Sequence, residues 1–311
     1  MGCLDNLLKI TRGVLYTPEF DAYVAPARAY PQVWRLLAGI LLFTVFFALP
    51  MVALFVSLSV FGTSRAAIGT IIEARTPVGV AVMLGILTPS IVGLWIGVRW
   101  LHKRSLFSLV GGSFSVVWDN FEIAALLFTV LQCLNLFFVS FFYPLSANLS
   151  LDVWLIWLPF IIILLLLQTG AEELGFRGYL MQQLAARFQN PLWWFILPQI
   201  VFALIHFTPG VYGELAWVVV IQIFFFALIM ADLTRVTGNL GAAWGLHFAN
   251  NFMIFMIACT TGNGNGASLF TLPFEAHEIP MPLLLVGFFT QVASWGLLRH
   301  YLRPIGAGEP D

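Results

Sequence analysis

Eight stretches of this chain are, in whole or in part, long and apolar enough to cross a bilayer, and nothing else constrains the fold as strongly. They cover residues 36–61, 77–100, 121–143, 151–169, 192–207, 212–233, 240–260 and 281–300. A spanning helix needs roughly 20 apolar residues. Lipid offers no partner for a backbone amide, so such runs read as helices. Composition agrees, with 60% hydrophobic and 9% charged residues among 311. A soluble domain carries about 25% charged residues. That excludes a soluble enzyme, a disordered chain and a coiled coil. The expected fold is an all-α integral membrane protein, a polytopic bundle of about eight transmembrane helices around a polar intramembrane cavity.

No internal repeat and no second domain is visible. Residues 1–32 read as a cytoplasmic amphipathic segment, 33–303 as one bundle and 304–311 as a short cytoplasmic tail. Pro50 is expected to kink the first span. Thr208-Pro209-Gly210 reads as a tight hairpin between the fifth and sixth spans, and the loop Gly262–Gly266 as flexible. With an even number of spans, twelve of the 14 Lys and Arg residues fall on the side of the termini, leaving Arg65 and Arg75 opposite. The positive-inside rule then makes both termini cytoplasmic. Cys3, Cys133 and Cys259 are too scattered for a disulfide framework or a cysteine zinc site. The net charge of −1, without a basic cluster, leaves no nucleic-acid footprint.

Ionisable groups within lipid are costly, so an intramembrane cluster marks a functional site by default. Three segments supply one. In Glu172-Glu173-x-x-x-Arg177, Glu173 and Arg177 share a helix face and can pair. Glu172 lies about 100° around the helix, free to face another pocket. Two adjacent carboxylates at this depth cannot both ionise cheaply, which leaves one to act as a general base. Charged residues at an emerging span end give the plainer reading, against which Gly170, Gly175 and Gly178 favour close packing. In the second segment, Phe202 precedes His206 by one turn and can wall off its imidazole. Glu172 lies before the turn at Asn190-Pro191 by about as many residues as His206 lies after it, so the two are expected at similar depth. The third segment is His247-x-x-x-Asn251, two hydrogen-bond donors stacked on one helix face, able to stabilise an oxyanion. Asn250 reads as glue between helices.

These three motifs, in this order, resemble the CAAX protease and bacteriocin-processing (Abi) family of intramembrane proteases over about residues 150–260. The resemblance implies an endopeptidase acting on a membrane-associated protein or peptide, for CAAX-type processing, peptide maturation or bacteriocin immunity. It further implies that Glu172 and His206 activate water, that His247 and Asn251 hold the oxyanion, and that Glu173, Arg177 and Phe202 support them. A bacterial chain of this kind would sit in the inner (plasma) membrane.

No cofactor is expected. The alternative is zinc held by Glu172, His206 and His247, a set of the right size for a catalytic ion. No His-Glu-x-x-His occurs, since Met281 stands where His277-Glu278 would need a second histidine. The competing function is a proton-coupled transporter or channel using the buried Glu and His residues as a relay, with Asp232 as its nearest continuation.

Overall fold

The computed structural model describes residues 16–62 and 64–302. Cys3, the tail at 304–311 and the first half of the expected amphipathic segment lie outside the described residues. The chain is an all-α polytopic membrane protein. Ten helices order the description: α1 (Pro18–Val24), α2 (Val33–Val60), α3 (Arg65–Ile72), α4 (Pro77–Leu101), α5 (Phe114–Val139), α6 (Leu151–Arg187), α7 (Leu192–Leu204), α8 (Pro209–Thr237), α9 (Gly241–Phe252) and α10 (Met281–Tyr301).

Six of them, α2, α4, α5, α6, α8 and α10, have the length and apolarity to cross a membrane. The fifth and seventh expected spans are shorter. α7 stops at Leu204, and α9 passes through a π-helical turn at Met253–Ile257 into a strand. The expected count of about eight is therefore six long helices and two short ones. Pro50 lies inside α2 without ending it.

Three short strands, β1 (Ser146–Ala147), β2 (Ala258–Thr261) and β3 (Phe270–Glu275), form a sheet in the order β1-β3-β2. β3 runs antiparallel to β1 and parallel to β2. The expected flexible loop at Gly262–Gly266 is instead pinned, because Gly264 and Gly266 donate their amides to the carbonyls of Glu73 and Ala74 at 2.8 and 3.0 Å. The expected tight hairpin is also longer, with a short helical turn at Pro209–Tyr212 and a 3-10 turn at Gly213–Leu215.

Thr17 caps α1 by accepting from the Phe20 amide, and Pro18 occupies the first turn, where its missing donor costs nothing. Phe20 stacks on Trp194 with centroids 4.7 Å apart. Thr17 also donates to the Arg235 carbonyl. The described end of the N-terminal segment thus packs into the bundle itself.

Two glycines place the helix that matters most. Gly241 and Gly245 lie one turn apart on α9, and a Cβ on either would collide with the carbonyl of Val117 or Phe121 on α5. Small residues at this spacing let two backbones touch. On its other side α9 is held by Trp244, whose Nε1 donates to the Leu166 carbonyl and to Thr169 Oγ1, each at 3.2 Å.

Candidate active site

α6 carries the first motif. It runs past Thr169 as one 37-residue helix, in which a π-helical stretch at Leu174–Leu180 interrupts the α-helix between Glu173 and Met181. Such π segments are rare and concentrate at functional sites. Glu173 and Arg177 are both fully buried, and Arg177 Nη1 donates to Glu173 Oε1 at 3.0 Å, the pairing their spacing predicts. Arg177 also donates from Nη2 to the Ala227 carbonyl at 3.3 Å, and its guanidinium lies 4.4 Å from the Phe202 ring centroid. Desolvation of this buried pair is thus opposed by a charge-assisted hydrogen bond and a cation–π contact.

His247 stands between the two glutamates. Its Nδ1–H donates to Glu173 Oε1 at 2.8 Å, and its Nε2 lies 3.4 Å from Glu172 Oε2. The separation of about 100° around α6 does not send the carboxylates into separate pockets, because they grip opposite edges of one imidazole. With Nδ1–H committed to Glu173, a neutral ring leaves Nε2 bare opposite Glu172.

Glu172 and His206, which the resemblance pairs in activating water, share no hydrogen bond. His206 lies beyond the last residue of α7, in a turn, and its Nδ1–H donates to the Phe202 carbonyl at 2.7 Å. The Phe202 ring is the wall anticipated from the sequence, 4.8 Å from the His206 ring and 6.0 Å from that of His247. It therefore separates the two histidines as well as shielding one.

Asn251 lies one turn beyond His247 on α9. Its Nδ2 donates to Gln168 Oε1 at 3.0 Å, and its Oδ1 accepts from Asn250 Nδ2 at 3.2 Å. Gln168, one turn before Glu172 on α6, donates from Nε2 to Glu172 Oε1 at 2.6 Å. The amide is therefore oriented at both ends. Sequence reasoning missed Gln168, although its i, i+4 spacing to Glu172 was there to be read. The result is one polar chain from Asn250 through Asn251, Gln168, Glu172, His247 and Glu173 to Arg177. Glu172 Oε2 makes no hydrogen bond to protein, and the Glu172 side chain keeps 12% of its surface exposed.

Among the described residues no three His, Cys, Asp or Glu side chains are grouped as metal ligands. Of the alternative zinc set, Glu172 and His247 stand together, while His206 is held on the Phe202 carbonyl. Asp232 does not extend the polar chain either. Its carboxylate receives Arg235 at 2.6 Å and Trp295 Nε1 at 2.7 Å, with Arg299 at 3.5 Å, clamping α8 to α10.

Fold and site together define an integral membrane protein with a buried acid–histidine centre. Residues 152–253, which hold every residue of the three motifs, match the family described as type II CAAX prenyl endopeptidase Rce1-like, as the resemblance read from those motifs implied. The chain is also similar to the uncharacterized protein YyaK of Bacillus subtilis (strain 168), at 28% identity over 191 residues. The matched region covers 59% of this chain and 63% of the length of that relative. No solved structure matches.

Proposed function

We propose that this chain is an intramembrane endopeptidase that hydrolyses a peptide bond of a membrane-associated protein or peptide without a metal ion. The observation that carries this reading is the state of the Glu172 carboxylate. Gln168 anchors Oε1, while Oε2 is left without a hydrogen-bond partner 3.4 Å from His247 Nε2.

In the proposed reaction, Glu172 Oε2 takes a proton from water as the water oxygen attacks the scissile carbonyl. His247 Nε2 is positioned to share that proton, and Glu173, paired with Arg177, stabilises the imidazolium so formed. Asn251 keeps one Nδ2–H on Gln168 and offers the other to the oxyanion. The proton returns from Glu172 to the leaving amine as the C–N bond breaks. With Nδ1–H on the Phe202 carbonyl, His206 Nε2 is left to accept a hydrogen bond from water or substrate. Both termini are proposed to face the cytoplasm, on the distribution of basic residues.

The test uses purified chain in liposomes with a membrane-anchored peptide, with and without a strong chelator. Cleavage that survives chelation and vanishes in Glu172→Gln is expected. Cleavage lost with one bound metal per chain would refute the metal-free mechanism. Absence of cleavage, together with proton flux that Glu172→Gln abolishes, would favour the relay.

A further inference from the structure

A second polar feature lies away from the site, where the start of α2 meets the end of α4. Arg35 reaches from α2 to donate from Nη1 to the Leu101 carbonyl. Its guanidinium carbon lies 4.8 Å from the Tyr30 ring centroid and 4.7 Å from that of Trp34. Lys103 Nζ lies 5.6 Å from the same Tyr30 ring. Its backbone is held at φ 52°, a left-handed conformation costly for a residue with a Cβ. Between them His102 hydrogen-bonds the Tyr30 carbonyl from Nδ1. Arg104 follows, donating to Gln182 Oε1 and Ser108 Oγ at 2.7 and 3.2 Å.

Two cations thus share the Tyr30 ring, Arg104 follows Lys103 closely enough to act on His102, and among the described residues no carboxylate pairs with any of the three. Arg35 Nε and Arg104 Nε and Nη2 are buried without a hydrogen-bond partner. The field is felt locally: burial, and then the charges of Arg104 and Arg35, push His102 down to about 4. Gathering like charges without a counter-ion is unfavourable unless an anion is supplied from outside. Trp34 and Trp100 stand 58% and 70% exposed at the same junction, as indole rings do at the headgroup level of a bilayer.

We propose that the corner formed by Tyr30, Trp34, Arg35, Lys103 and Arg104 binds the phosphate headgroup of an anionic phospholipid. A phosphodiester supplies the missing negative charge and accepts from guanidinium and ammonium donors together. Its acyl chains lie along the exposed apolar faces of α2 and α4. Basic pockets between transmembrane helices recognise headgroups in this way.

The experiment follows binding by native mass spectrometry and thermal shift on the full chain in detergent. Phosphatidylglycerol, phosphatidylcholine and inorganic phosphate are titrated separately. Phosphatidylglycerol alone is expected to bind and raise the melting temperature. Lys103→Gln is expected to weaken it about fivefold, and the double variant Arg35→Gln/Lys103→Gln about 25-fold, at roughly one interfacial charge per step. Arg187→Gln, an exposed cation elsewhere, should leave binding unchanged. The single Lys103 variant carries the test if loss of the Arg35 tie to Leu101 prevents folding. Equal response to phosphatidylcholine, equal stabilisation by inorganic phosphate, or an equal loss in Arg187→Gln would overturn the proposal. None of these readouts depends on peptide hydrolysis.

Discussion

Gln168 donates its side-chain amide to Glu172 Oε1 across one turn of α6, at 2.6 Å. The same glutamine accepts from Asn251. The candidate base and the candidate oxyanion donor are therefore fixed by a single residue. Gln168→Met keeps the length and removes both bonds. Hydrogen bonds to charged groups are worth about 1.5–3 kcal/mol. A fall in kcat of about 10- to 100-fold with KM unchanged is expected, measured in steady state beside a melt showing the fold intact.

The two adjacent glutamates should fail differently. Glu172→Gln keeps the shape but cannot take a proton, so a stable, inactive protein is expected. Glu173→Gln strips the partner from both Arg177 and His247. Breaking a buried pair costs about 3–5 kcal/mol, so a clearly lower melting temperature with residual turnover is expected. A melt and a turnover assay on each variant in one detergent decide it. A stable, inactive Glu173→Gln beside an active Glu172→Gln would exchange their roles.

How much of this was legible follows from the range of each interaction. Glu173 and Arg177 were readable because helical spacing alone determines whether they meet. The three motifs could be ordered, and the spans found, for the same local reason. The partner of Glu172 was not readable, because it depends on where α7 stops: three fewer helical residues than expected put His206 in a turn, and Phe202 takes its donor. The sheet was hidden because β2 and β3 join segments that read as span end and loop. Gln168 was passed over because an uncharged amide in an apolar run gives no signal until its neighbours are known.

Packing of α9 supplies a third prediction. Gly245→Ala would drive a methyl group into the Phe121 carbonyl. Overpacking of this kind costs about 1–3 kcal/mol, and here it also shifts His247. Lower melting temperature together with lower kcat is expected. Gly210→Ala, whose Cβ meets nothing within 4 Å, is the matched control and should change neither.

The fourth concerns pH, through a histidine beyond the end of α4. His102 is held neutral in the fold, pushed from 6.5 down to about 4 mainly by burial. The unfolded chain takes up this proton near 6.5 while the folded one waits until about 4. Stability should therefore fall as pH is lowered across that window and level off beneath it. Melting temperature against pH checks this, and His102→Gln should flatten that part of the curve.

The contact of Gly241 and Gly245 with the α5 backbone has a consequence for timing. Two main chains in direct contact leave no slack for sliding or rotation, so the ring of His247 is aimed while the protein folds and remains aimed. On the proposed reading, this orienting work is done once in the lifetime of the molecule rather than once per catalytic cycle, and the rearrangement that precedes bond cleavage falls to the incoming chain rather than to α9.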